Sequence, residues 1–211
     1  MSIPYERTGR TDQKARTRNA LIAAARQLLA EGVTPTVERT AARAAISRTT
    51  AFRYFPNQRA MLVATYPQLG ERSLLGPEAP EDPTARLEAV AQEFTRQVLE
   101  YEPELRAQLR LSLEPGPRQP DGLPLRQGRG VGWIEDALGP LRKRIPGRDL
   151  RRLVLAVRAT LGIEALVWLT DVAGVSREQA VDIMRSSART LLRSAIADAD
   201  AAPVRQRGRR A

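Results

Sequence analysis

The sequence has 211 residues and a mass of 23.3 kDa, enough for one domain of moderate size or two small ones with a sizeable buried core. It contains no cysteine and no histidine, which excludes disulfides, thiolate or imidazole zinc sites, and Ser-His-Asp or Cys-His catalysis. Its formal charge of +10 favours a polyanionic partner.

The positive charge is concentrated at the two ends of the chain. Residues 1–60 carry 11 basic and 4 acidic side chains, residues 61–200 carry 19 and 20, and residues 201–211 carry 4 and none. The amino terminus is polar and lacks the apolar core of a secretory signal, and the most apolar stretch, 153–169, is interrupted by charges and short for a membrane span. We therefore expect a cytoplasmic protein without membrane contact.

The periodic segments are rich in Ala, Leu, Arg, Glu and Gln, and alternating apolar and polar residues are missing, so the sequence predicts an all-α fold of about nine helices. The first helix is expected at about 12–31, with Gly32 as its stop. Its apolar stripe consists of Ala20, Leu21, Ala24, Ala25, Leu28 and Leu29.

Two short helices follow the first one. Thr36 and Ser47 are suitable N-caps for helices at about 37–44 and 48–55, and Pro56 ends the second of them. Two short helices joined by a tight turn, with Arg and Thr at the second helix, are typical of a helix-turn-helix, whose second helix lies in the DNA major groove.

The rest of the chain is predicted to be helices separated by proline-rich connections. A fourth helix starts at residue 56 or 57 and is kinked or interrupted at Pro67, and further helices are expected at about 84–100, 104–113, 125–144, 149–172 and 176–197. Residues 76–83 form a linker, and residues 114–124 form a loop.

Residues 36–62, TVERTAARAAISRTTAFRYFPNQRAML, resemble the amino-terminal DNA-binding domain of TetR-family transcriptional regulators. The resemblance rests on the Thr-Val at the second helix, the Ile-Ser turn, the TxFRYF box and the RAML that follows. It implies a three-helix DNA-binding domain at 13–73 after a basic flexible arm at 1–12. A larger helical effector-binding and dimerisation domain would occupy 74–202, and 203–211 would be a basic disordered tail.

The candidate DNA contacts lie at the two short helices and just after them. Arg48 matches a base-contacting position of the family, and its planar fork suits guanine O6 and N7. Thr49 suits a thymine methyl, and Arg53 suits a base or the backbone. The full set is Thr36, Arg39, Arg48, Thr49, Thr50, Arg53, Tyr54 and Gln58.

The sequence departs from the family pattern at four positions. Thr40 replaces an apolar core residue, and Ala45 replaces the glycine that adopts positive φ in the turn. Phe52 replaces a tyrosine and offers no hydroxyl to phosphate, and Gln58 replaces a lysine and offers a neutral donor. Phosphate contacts are therefore expected to move to other side chains, Tyr54 among them.

The resemblance also implies an unknown small-molecule effector and a homodimer formed by the last two long helices. Pocket candidates are the large or polar residues on otherwise apolar helices: Phe94, Tyr101, Trp133, Glu164 and Trp168. The alternative is that Trp133 and Trp168 are core residues and that Glu164 pairs with an arginine such as Arg110 or Arg158.

The expected function is a sequence-specific repressor that a small-molecule effector releases from a palindromic operator in double-stranded DNA. The alternative is a DNA-binding regulator or activator without an effector. An enzyme using Glu164, Asp171 or Glu135 as acid or base is disfavoured, because no glycine-rich phosphate loop or paired-carboxylate motif is present. No catalytic residue, metal or cofactor is expected.

Overall fold

The computed structural model describes the backbone of residues 5–65, 73–114 and 128–207, and the side chains of residues 11–65, 73–114 and 128–201. These residues are helical or irregular and contain no strand, which confirms the all-α prediction. The described ranges form ten α-helices. These are α1 Tyr5–Ala30, α2 Val37–Arg43, α3 Arg48–Tyr54, α4 Gln58–Thr65, α5 Pro83–Glu100, α6 Glu102–Leu113, α7 Arg129–Ala137, α8 Gly147–Leu161, α9 Ile163–Val167 and α10 Arg177–Arg207.

The chain divides into two compact units. The first unit contains Met1–Leu69 and Pro103–Gln127, and the second contains Gly70–Glu102 and Gly128–Ala211. The first unit therefore includes residues 103–127, which we predicted to belong to the effector-binding and dimerisation domain at 74–202.

The core of the first unit is formed by the apolar faces of α1 to α4. Its buried members are Leu21, Ala25, Val37, Ala41, Ala51, Phe55 and Met61. A second cluster joins Leu29 of α1, Leu62 of α4 and Ala107 of α6. The predicted stripe of α1 is buried except for Ala20, and Gly32, with a φ of 74°, ends the helix as expected.

Helix α4 is also held by hydrogen bonds to the carbonyls of its last turn. The Arg26 Nε donates to the Thr65 carbonyl at 2.7 Å, and the Gln108 Nε2 donates to the Leu62 carbonyl at 3.0 Å. The Leu62 carbonyl also accepts a hydrogen bond from the Thr65 hydroxyl at 2.8 Å, so side chains of α1, α4 and α6 together bind the carbonyls of this turn.

The second unit packs α5, α7 and α8 together, with α10 against both α5 and α8. Helix α10 buries Ala180, Met184, Ala188 and Leu192, which recur every fourth residue and so form one stripe. Glu88 of α5 accepts hydrogen bonds from Arg185 and Arg189 of α10, which adds charge pairing to this apolar contact.

Two long helices predicted in the second unit are interrupted. The helix predicted at 149–172 breaks at Gly162, whose extended backbone ends α8, and a π-helical turn at Trp168–Val172 follows α9. The helix predicted at 125–144 consists of α7 and a 3₁₀ helix at Gly139–Lys143. The backbone angles at both breaks, at Gly162 and at Leu138, are ones that any residue can adopt.

The ends of the chain are more helical than predicted. Helix α1 begins at Tyr5, within the segment 1–12 expected to be a flexible arm, and α10 continues to Arg207, within the expected disordered tail. Each residue added to an existing helix gains a backbone hydrogen bond, so a helix can continue beyond its apolar stripe. Pro67 and most of the predicted loop at 114–124 lie outside the described residues.

Within the described ranges, no single helix has both the length and the hydropathy of a membrane span. The pair Gly147–Leu161 and Ile163–Val172 meets those criteria only when joined across a bend of 43°.

Candidate functional site

Helices α2 and α3 are defined by the two predicted caps and a tight connection. The Thr36 hydroxyl accepts a hydrogen bond from the Arg39 N–H at 3.2 Å, and the Ser47 hydroxyl accepts one from the Thr50 N–H at the same distance. Each cap satisfies an N–H of the first helical turn that has no partner within the helix. The predicted bounds of both helices are confirmed to within one residue.

The connection between α2 and α3 keeps a left-handed residue despite having no glycine. Ala45 has a φ of 52°, the one positive φ of a non-glycine residue in the described chain. The Ile46 N–H donates to the Ala41 carbonyl at 2.9 Å and fixes the reversal. The turn therefore retains the geometry expected of glycine and carries the steric cost of an alanine Cβ.

Helix α3 has a buried face and a solvent face. Ala51 is fully buried and Phe55 is 3% exposed, and both belong to the core of the first unit. Arg48, Thr49 and Arg53 are exposed. The helix is thus anchored in the core by Ala51 and by Phe55 at its C-cap, while two cations and a hydroxyl remain exposed.

The remaining candidate DNA contacts are used partly within the protein. Arg39 is exposed, whereas Thr36, Thr50 and Tyr54 are half-buried, with the Thr50 hydroxyl accepting a hydrogen bond from Ser47. The Gln58 Nε2 donates to the Pro35 carbonyl at 2.9 Å and so ties the start of α4 to the segment before α2.

Arg48 has two contacts that the sequence did not predict. Its Nη2 donates to Glu38 Oε1 at 3.0 Å, and its guanidinium carbon lies 5.5 Å from the centre of the Phe52 ring. The Arg48 side chain is nevertheless 71% exposed. A carboxylate and an aromatic face therefore orient a cation that remains open to solvent.

A second ion pair links the ends of α1 and α2. Arg43 donates to both carboxylate oxygens of Glu31, at 2.6 and 2.8 Å. The hydrogen bond from Arg43 is the main cause that lowers the pKa of Glu31 below its ordinary value. This pair joins the end of α1 to the end of α2, whereas the Glu38–Arg48 pair joins the starts of α2 and α3.

In the second unit, three of the five pocket candidates come together. The Phe94 and Trp133 rings meet edge to face, with centres 5.4 Å apart. Arg158 lies 5.3 Å from the Phe94 ring centre, and its Nη1 is 3.7 Å from Glu164 Oε2. Of the alternative interpretation, Trp133 is buried and Glu164 pairs with Arg158, whereas the expectation that Trp168 is a core residue is wrong, because Trp168 is 58% exposed.

Glycines border this cluster on two sides. A Cβ at Gly130 would lie 2.7 Å from two atoms of the Phe94 ring, and one at Gly162 would overlap Arg158 and Glu164. A Cβ at Gly130 would require the Phe94 ring to move, whereas at Gly162 the contacted atoms are the ends of two flexible side chains that can shift. The aromatic part of the cluster is buried, whereas the Glu164 side chain is 42% exposed.

The other two pocket candidates lie elsewhere on the unit. Tyr101 is half-buried at the C-terminal end of α5, and Trp168 is 58% exposed on the π-helical turn. A depression of about 310 Å³ on the same unit is lined by residues 74–80 and Ala89 and contains none of the five candidates.

Comparison with family models, with curated proteins and with solved structures finds no match to this chain.

Proposed function

We propose that this chain is a sequence-specific DNA-binding transcriptional regulator of the TetR type. The observation that carries the proposal is the anchoring of α3 together with the exposure of its polar side chains: Ala51 and the C-cap Phe55 fix the helix in the core, while Arg48, Thr49 and Arg53 are exposed. A helix that reads the major groove needs a fixed backbone and free side chains at its start. The caps and the left-handed turn before α3 supply the fixed backbone.

The charge distribution supports the same function. Residues 1–60 contain 11 basic and 4 acidic side chains, whereas residues 61–200 contain nearly equal numbers. Lys and Arg that neutralise phosphates release counterions, and this release drives binding to DNA of any sequence. The first unit thus has the cations for affinity, and α3 has the groups for base contacts.

The test of this function is Arg48→Ala, measured on two duplexes. One duplex is enriched by the wild-type chain from a randomised library, and the other is a scrambled duplex of the same composition. Arg48→Ala is expected to weaken binding to the enriched duplex by about 10- to 100-fold, because a bidentate guanine contact contributes about 1–3 kcal/mol of discrimination.

Arg16→Ala is the matched control, since Arg16 is an exposed cation of α1 in the same unit. It is expected to weaken binding to both duplexes equally. It should also reduce the slope of the logarithm of the binding constant against the logarithm of salt concentration by about one. Equal losses on both duplexes for Arg48→Ala would contradict the assignment of Arg48 as a base-reading residue.

The proposal includes a homodimer formed by the second unit. Leu155 of α8, Trp168 and Val172 of the π-helical turn, and Ile183 of α10 are large apolar residues exposed on this unit. Exposed residues of this kind are typical of protein interfaces. Two-fold pairing would place two copies of α3 about 34–36 Å apart and would require a palindromic operator.

We further propose that a small-molecule effector binding to the second unit releases the operator. An effector-independent regulator is the second candidate, favoured by the close packing of Gly130 and Gly162 against Phe94, Arg158 and Glu164. A compound screen separates them: a compound that both raises the thermal unfolding midpoint and releases the enriched duplex supports effector control. A screen in which no compound does both supports the second candidate.

A further inference from the structure

Glu38 is an acidic side chain among the candidate DNA contacts, directly before Arg39 in the chain and paired with Arg48. It lies in the first turn of α2 and its Oε1 accepts a hydrogen bond from Arg48 Nη2 at 3.0 Å. Both side chains are exposed, by 44% for Glu38 and 71% for Arg48. Exposed ion pairs contribute little to folding stability, so a contribution to the stability of the first unit does not explain why Glu38 and Arg48 are paired.

The contacts of Arg48 restrain it from two directions. Glu38 holds one terminal nitrogen, and the Phe52 ring lies beneath the guanidinium with 5.5 Å between the guanidinium carbon and the ring centre. Because a guanidinium has several N–H donors in a fixed fork, a single acceptor at Nη2 leaves donors on its other edge available for a base. Arg48 is therefore oriented before DNA arrives.

Orientation of Arg48 affects specific and non-specific binding differently. A side chain that already has its bound geometry loses less conformational entropy when it meets the correct base. On a wrong sequence the restrained guanidinium gains less from turning to a phosphate, and the Glu38 carboxylate repels the DNA backbone. Glu38 should thus strengthen binding to the correct DNA sequence and weaken binding to other sequences.

We propose that Glu38 is the positioning residue for base readout by Arg48, acting through the Glu38–Arg48–Phe52 arrangement to raise sequence specificity. This inference rests on the proposed function and names a specificity determinant within it. The presence of phenylalanine at position 52 fits this role, because the ring supplies a face for the guanidinium and no hydroxyl to compete for it.

The test is Glu38→Gln, which keeps the size of the side chain and removes its charge. It is measured on the same enriched and scrambled duplexes. Binding to the enriched duplex is expected to weaken by about two- to fivefold, the range for an exposed ion pair. Binding to the scrambled duplex is expected to tighten by about two- to threefold, since one charge that repels phosphate is removed.

Glu31→Gln is the matched control, because Glu31 is the acidic member of another exposed Arg–Glu pair in the described part of this unit. It is expected to change binding to both duplexes by one common factor. Glu38→Gln combined with Arg48→Ala is expected to have the specificity of Arg48→Ala alone, because Glu38 acts through Arg48.

Three outcomes contradict the proposal in different ways. Equal changes on both duplexes for Glu38→Gln would show that Glu38 is only a surface charge. A further change of specificity when Glu38→Gln is added to Arg48→Ala would show that Glu38 contacts DNA by itself. Both results leave the proposed function intact, whereas a wild-type chain that enriches no sequence contradicts the proposed function and this inference together.

Discussion

Ala45 is the residue at which the α2–α3 turn has a conformational cost. Its φ of 52° lies in the left-handed region, where a Cβ costs about 1–2 kcal/mol. Ala45→Gly removes this cost but makes the unfolded chain more flexible, an effect of about 0.4–1 kcal/mol. We therefore expect Ala45→Gly to raise the free energy of unfolding by about 0.5–1 kcal/mol in urea titrations.

Ala42→Gly is the control for this turn substitution. Ala42 is exposed within helix α2, where glycine costs about 1 kcal/mol relative to alanine. The two variants should therefore change the free energy of unfolding in opposite directions. A loss of stability in Ala45→Gly would argue against a strained turn.

Thr40 is a buried residue whose hydroxyl is unused. It is fully buried in α2, and its Oγ1 has no hydrogen-bond partner among the described residues. A buried hydroxyl without a partner costs about 1–3 kcal/mol, and valine has nearly the same shape without it. We expect Thr40→Val to raise the free energy of unfolding by about 1 kcal/mol.

Thr95 provides the comparison, because it is also buried on a helix but its hydroxyl donates to the Ala91 carbonyl at 2.8 Å. Thr95→Val should therefore lower the free energy of unfolding by about 1 kcal/mol. If both valine variants lose stability equally, the environment of the Thr40 hydroxyl differs from the one described.

At the scale of helices, local signals in the sequence predict the first unit well. Thr36 and Ser47 are N-caps as expected, and Gly32 ends α1, because capping and positive φ depend on neighbouring residues only. The break at Gly162 could not be predicted in this way. Its backbone angles carry no local signal, and the Arg158 and Glu164 side chains that lie beside it come together only in the folded unit.

The candidate DNA interface was likewise predicted only in part, because some of its contacts depend on the folded structure. Sequence reasoning selected Arg48 and predicted its exposure, but it missed Glu38, which lies ten residues earlier in the chain. The turn geometry alone decides whether these residues meet. In the sequence Glu38 directly precedes Arg39, and nothing in that order indicates a contact with Arg48.

Helix α6 contains a carboxyl whose ionisation opposes folding. Glu104 is 7% exposed, and burial raises the pKa of its carboxyl, with Arg26 acting in the opposite direction. Because the folded pKa is above the unfolded one, the contribution of Glu104 to stability is present at acidic pH and is lost as the pH rises through the folded value. Glu104→Gln should therefore raise the free energy of unfolding at neutral pH, with a gain that fades in acid.

Glu31→Gln should show the opposite pH dependence, because the hydrogen bond from Arg43 lowers the pKa of Glu31. Its stabilising contribution is present above the unfolded pKa and is lost as the pH falls through the folded value. Denaturant titrations that measure the free energy of unfolding of both variants from neutral to acidic pH test these two predictions. A pH-independent effect of Glu104→Gln would indicate that its carboxyl is solvated.

At the scale of the whole molecule, the exposed apolar residues of the second unit bear on self-association. We expect Trp168→Glu to weaken the proposed homodimer by about 30-fold or more, since central aromatic residues contribute about 2 kcal/mol or more to interfaces. Sedimentation at several protein concentrations measures the effect. Leu113→Glu is the control, because Leu113 is 76% exposed but belongs to the first unit.

An unchanged association constant in Trp168→Glu would place the dimer surface elsewhere or would leave the chain monomeric. In the second case, the operator would need only one half-site, because half-site number follows the symmetry of the protein. The oligomeric state and the symmetry of the bound DNA are therefore linked predictions.

The most direct measurement of the central claim is sequencing of the duplexes that the wild-type chain retains from a randomised library at physiological salt. We predict enrichment of one motif with two inverted half-sites whose centres lie about one helical turn apart, ~34–36 Å. Retention of all sequences in their starting proportions, or no retention at all, would contradict sequence-specific binding by α3.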